Sequence, residues 1–199
     1  MRWRIGHTTI DISYPLAAVM AAILLLDRSM NVWLCFLAAL MHEGGHLVML
    51  YQCHTPPRHI RLSLFDIAIV DRQQYRHTVP QALRITLAGI TVNFTAALLS
   101  WLVWRCTGWS WLPTFIAAHL TLGLFNGLPV SSLDGGQALF LLLSQRLPPL
   151  TAQRVLTVLS VVVLIPTACL GFYLLLVTRY NFTLLLASLY LTALLLYRP

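Results

Sequence analysis

Polarity in this chain is confined to a few points inside long apolar runs, and that distribution decides what it can fold into. Six runs are candidate bilayer spans: 10–26, 31–53, 81–104, 111–129, 155–177 and 182–197. A helix rises about 1.5 Å per residue, so about 20 apolar residues cross the hydrocarbon. The second, third and fifth runs meet that length. The first is short and carries Asp11, and the helix of the fourth can continue to Leu147. Charged residues are only 10% of the chain, against about a quarter in soluble domains, and the mean hydropathy is +0.76. One globular core cannot hide so much apolar surface. The expected fold is an all-α polytopic membrane protein of about six transmembrane helices, forming a single membrane-embedded domain over 1–199. No repeat, low-complexity tract or appended soluble domain is visible. The opening MRWRIGH has no convincing cleavage site, so the first run reads as an uncleaved span.

The formal net charge is +7, and all 13 basic residues are arginine. They sit between apolar runs rather than among aromatics on a soluble module, which argues against nucleic acid as a partner. With the N-terminus inside, the inner segments hold Arg2, Arg4, Arg58, Arg61, Arg72, Arg76, Arg84, Arg146, Arg154 and Arg198. The outer turns hold Arg28, Arg105 and Arg179. The positive-inside rule then places both termini in the cytoplasm.

The connection over 52–80 has a pattern of its own. Ile60, Leu62 and Leu64, then Ile67 and Ile69, alternate with other residues, and Phe65-Asp66 lie between. Period two predicts two short strands, a membrane-associated β-hairpin between spans 2 and 3. Strand edges are tolerated at membrane depth only where protein or a water-filled cavity covers them. The competing reading is an amphipathic loop on the cytoplasmic surface.

The costliest residues in the chain lie inside the second run, in LMHEGGHLVML. His42 and His46 are four apart, so on a helix they share one face. Two imidazoles at that spacing can hold one zinc ion. Glu43, the only glutamate, can accept a proton from a water the metal acidifies. Ionisable groups inside spans are functional hypotheses by default. The competing reading is a chance match in which both histidines bond neighbouring helices. Gly44 and Gly45 weaken the helix but permit close approach of another helix or a substrate backbone.

Catalytic zinc usually takes three protein ligands and keeps one open position. Asp134, in NGLPVSSLDGG, is the candidate third, being the only acidic residue after Asp71. It also suits the N-cap of a helix starting near Gly135, and the two roles can coexist. Cys53 lies seven positions beyond His46, too far along a helix to share its zinc. Cys35, Cys53, Cys106 and Cys169 match no zinc ribbon or disulfide framework and read as small hydrophobes. His119 reads as a bonded core histidine nearer the other membrane face. His54, His59 and His77 read as interfacial, and Asp66 and Asp71 as turn and surface charges.

HEGGH on one span, AGITVN on the next and N-x-x-P-x-x-x-L-D-G-G after it resemble the site-2 protease family of intramembrane zinc metalloproteases. The size and span number are most similar to the branch containing stage IV sporulation protein FB. The motifs and their spans cover about 31–143, the expected catalytic core. The resemblance implies one Zn2+ per chain, held by His42, His46 and Asp134, with Glu43 as catalytic base. It implies that Asn126 positions substrate or stabilises the oxyanion, and that Gly89 and Asn93 pack near the site. The implied partners are a transmembrane protein substrate and the lipid bilayer, in a bacterial plasma membrane. A regulatory membrane partner and a homo-oligomer are left open.

The chain departs from the family at three places. Ser131 and Ser132 stand where a second proline is common, Ile90 stands where a proline often follows the glycine, and Phe65-Asp66 replace the usual hairpin glycines. The PDZ or CBS domain of many relatives is not in this sequence. The alternative function is a non-proteolytic membrane metal-binding or transport protein, which would keep working after Glu43→Gln.

Overall fold

A computed structural model describes residues 2–5, 8–12, 14, 29–55, 59–62, 67–70, 77–179 and 183–197. Among these are four strands and six helices: β1 (Arg2–Ile5), β2 (Thr8–Ile12), α1 (Met30–Gln52), β3 (His59–Leu62), β4 (Ile67–Val70), α2 (Val79–Thr107), α3 (Leu112–Asn126), α4 (Asp134–Leu143), α5 (Pro149–Thr178) and α6 (Thr183–Tyr197). The chain divides into two compact units, Met1–Gly123 and Leu124–Pro199.

In the first unit the strands form one sheet in the order β1-β2-β3-β4. β3 and β4 run antiparallel with Ile60 opposite Ile69, which is the pairing the alternation predicts. The turn residues Phe65 and Asp66 lie outside the described residues. The N-terminal half of the sheet corrects the start of the expected first span. Residues 10–12 belong to β2, which pairs antiparallel with β1 and parallel with β3. The physical reason is a second period-two stretch, Trp3 and Ile5 followed by Ile10 and Ile12, that overlaps the start of the apolar run. The remainder of that run, 13–26, lies outside the described residues apart from Tyr14.

Among the described residues three helices are long and apolar enough to cross a membrane: α1, α2 and α5, of 23, 29 and 30 residues. The helices α3, α4 and α6 have 15, 10 and 15 residues. At about 1.5 Å per residue none reaches the roughly 30 Å of a hydrocarbon core if straight and alone. Large apolar side chains stay exposed along the long helices, among them Trp33, Leu37 and Val48 on α1 and Val158, Ile165 and Leu176 on α5. Lipid solvates such faces. α2 starts where the Thr78 amide donates to Gln81 Oε1 at 3.0 Å and ends at Gly108, whose φ of +67° suits a residue without a Cβ.

α3, which ends at the start of the second unit, does not continue to Leu147. The helical ladder stops at Asn126, and Pro129 lacks the amide that would extend it. The segment 127–133 folds back on the start of α4, as the Leu133 amide donating to the Val130 carbonyl at 2.8 Å shows. Backbone carbonyls of Gly127 and Val130 occupy the space that a Cβ on Gly135 or Gly136 would need. That close approach is the reason L-D-G-G carries two glycines. Val130 and Leu133 pack with Leu164 and Leu191 to form the core of this unit. The Ser131 amide donates to the fully buried Ser160 Oγ at 3.0 Å, a bond that a proline at 131 would forfeit. The serine at this departure is therefore tied into α5.

Candidate metal centre

α1 and α2 cross where their small residues meet. A Cβ on Gly45 would lie 2.8 Å from Val92 Cγ2 and 2.9 Å from the Ala88 carbonyl oxygen, so α1 needs glycine there to approach α2. Gly44 meets nothing within 4 Å, so only one glycine of the pair serves helix contact. Gly89 lies reciprocally against the histidines of α1. A Cβ there would fall 2.6 Å from His42 Cε1, 2.8 Å from His42 Nδ1, and against His46 Nε2. HEGGH and AGITVN are thus the two sides of one helix crossing.

At that crossing both imidazoles are buried, 4% exposed for His42 and 8% for His46. The rings stand edge to face, 82° apart. His46 Nδ1 lies 2.8 Å from the Ile85 carbonyl oxygen. A carbonyl can only accept, so Nδ1 carries the proton and Nε2 presents a lone pair. His42 Nε2 lies 3.3 Å from His46 Nε2. Two nitrogens bound to one zinc at about 2.0–2.1 Å in tetrahedral geometry would stand about 3.3 Å apart. The donor chemistry, the spacing and the backbone bond behind His46 all fit a zinc ion. Glu43 sits beside this pair on α1, half-buried.

Asn93 is fully buried on α2, its amide 3.0 Å from His42 Nδ1. Gly123 on α3 lies against it, since a Cβ there would be 3.2 Å from Asn93 Cβ. One turn earlier on α3, His119 is also fully buried, with Nδ1 3.0 Å from Asn93 Oδ1. It is a bonded core histidine as expected, but it is bonded to the asparagine that touches His42.

In the second unit Asn126 closes α3 and Asp134 opens α4, both half-buried, with Asp134 Oδ2 shielded from solvent. Leu133, not Asp134, takes the cap position of α4. Cys53 follows α1 beyond the histidine pair. Cys35, Cys106 and Cys169 are free and exposed on apolar helices. Asp66 and Asp71 lie outside the described residues.

No protein-family model and no curated protein sequence matches this chain. Among solved structures it is similar to the site-2 protease from Methanocaldococcus jannaschii, with a TM-score of 0.63 and 22% identity, over 96% of this chain and 91% of that one. That likeness extends over nearly the whole chain and shows that the fold is that of a site-2 protease.

Proposed function

We propose that this chain is a zinc-dependent intramembrane endopeptidase, hydrolysing a peptide bond in or near a transmembrane segment of another membrane protein. The observation that carries this reading is the buried pair of Nε2 atoms 3.3 Å apart on a helix that also carries the only glutamate. The fold likeness supports it, and His42, His46 and Asp134 are residues that can each give one ligand atom to a metal ion. On this reading His42, His46 and Asp134 hold one zinc. Bound there, the metal supplies a Lewis acid that acidifies water and polarises a carbonyl.

The rest of the chemistry belongs to side chains. Glu43 takes the proton of the attacking water on its carboxylate and returns it to the departing amine. Asn126 donates from its amide to the substrate carbonyl oxygen as charge builds on it. A transmembrane helix shields its own carbonyls, so the substrate must unwind near the cut. β4 is the last strand of the sheet, and an edge of that kind can receive an extended segment by strand addition. The termini face the cytoplasm of a bacterial plasma membrane, with the cut serving regulated proteolysis.

The reading is tested with the purified chain in liposomes beside a single-span substrate. Stripping metal with a chelator is expected to stop cleavage, and stoichiometric zinc to restore it. Cleavage that persists in the stripped protein would contradict a metalloprotease.

A further inference from the structure

The turn that leads into Asp134 is held from α5. The Leu133 amide donates to the Val130 carbonyl at 2.8 Å, which closes a four-residue turn over 130–133. Asp134 is the next residue and opens α4. Val130 is fully buried, and Ser160, also fully buried, meets the backbone on both sides of it. Ser160 Oγ accepts from the Ser131 amide at 3.0 Å and lies 3.5 Å from the Pro129 carbonyl oxygen. Its one proton goes to the nearer Leu156 carbonyl, 2.8 Å away and one helical turn back on α5. These polarities have no alternative, because a backbone amide only donates and a carbonyl only accepts. Ser131 is the second residue of the turn. Among the described residues other than glycine, only His54 and Arg179 have a positive φ, so the turn types that need one at Ser131 or Ser132 are excluded. Type I, the common remaining type, accepts proline at its second position. The backbone of Ser131 is therefore ordinary, and what sets it apart is that its buried N–H is received by a side chain of another helix.

We infer that Ser160 is a positioning residue: it fixes the turn that presents Asp134, and through that turn it sets how well the carboxylate holds zinc. This rests on the zinc reading above and deepens it, since it gives α5, which carries none of the proposed ligands, a part in metal binding. A ligand on the first residue of a helix is only as well placed as the chain that enters it. The carbonyls of Gly127 and Val130 against Gly135 and Gly136 seat the turn on α4. Ser160 seats the same turn on α5, and a buried amide at 131 deprived of that hydroxyl would have to move to find another partner.

The test is zinc affinity by chelator competition well below the melting temperature, with thermal melting as the control for folding. Ser160→Ala strands the Ser131 amide and should weaken zinc about tenfold, the lower end of what groups behind metal ligands command. In an Asp134→Ala background the same change should leave the remaining affinity where it was, since Ser160 acts only through that carboxylate. A loss of equal size in both backgrounds marks Ser160 as general packing and overturns the positioning role. A folded S160A chain that binds zinc like the wild type overturns it too. Adding Ser131→Pro to S160A removes the stranded donor and pins the turn, so zinc affinity should return most of the way to the wild-type value. The same double variant decides the matter if S160A alone does not fold. Should it fold and bind zinc no better than Asp134→Ala, a fixed turn is not what places the carboxylate, and the positioning role falls. A wild type that takes up no zinc overturns the proposed function and the positioning role together, whereas the outcomes above strike the positioning role alone.

Discussion

Glu43→Gln is expected to cut kcat for peptide hydrolysis by about 10²- to 10⁴-fold, the usual share of a positioned general base, while zinc stays bound. The substitution is close to isosteric and leaves His42 and His46 untouched. What it removes is the ability to take a proton, since an amide has no basic oxygen at neutral pH. No other glutamate exists in the chain to substitute for it. Substrate affinity should change little, so the loss should fall on kcat rather than KM. Cleavage and zinc content measured on the same preparation check this. A membrane metal carrier or sensor built on the same ligands would keep its function in this variant, so the result also separates the two classes.

Gly89→Ala should abolish stoichiometric zinc binding, a loss at or beyond the upper end of the roughly 10- to 100-fold that groups behind metal ligands command. The added methyl would meet His42 at 2.6 and 2.8 Å, closer than real Cβ atoms approach anything, and would press on His46 Nε2 as well. α2 cannot retreat cheaply, because Ala88 and Val92 are packed against Gly45 one turn away. Alanine is otherwise the better helix former by about 1 kcal/mol, so lost zinc cannot be blamed on a weakened helix. Gly44→Ala is the matched control. Nothing lies within 4 Å of its would-be Cβ, and zinc should be retained. Metal content with melting curves for both variants checks the pair. Full zinc in Gly89→Ala would mean that the α1–α2 crossing does not shape the centre.

Much of this arrangement was readable from residue pattern. His42 and His46 had to share a helix face once α1 was recognised, and the observed helix, Met30–Gln52, begins one residue before the expected span. The alternation at Ile60 and Ile69 foretold a strand pair because period two survives any tertiary context that buries one face. The same signal at Trp3, Ile5, Ile10 and Ile12 went unread, because the longer apolar run behind it invited a helix. The break at 127–133 was also hidden. Pro129 alone can kink a helix as well as end it, and only the folded backbone shows carbonyls of Gly127 and Val130 against Gly135 and Gly136. The partner of His119 was not legible either. Its contact with Asn93 depends on how α3 packs on α2 at Gly123, a tertiary fact with no local signature. Span number was legible only in part, since length and composition qualify α1, α2 and α5, shorter apolar helices lie in the fourth and sixth runs, and most of the first run lies outside the described residues.

The central claim is that two motifs on separate segments build one zinc site, and zinc per chain in purified wild type beside Asp134→Ala tests it most directly. The account predicts close to one zinc in the wild type and a much weaker, substoichiometric site in the variant, with folding intact by thermal melting. Equal zinc in both chains would remove Asp134 from the centre. A folded wild type that takes up no zinc, even with metal supplied, would contradict the account outright, leaving a site-2 protease fold without its chemistry.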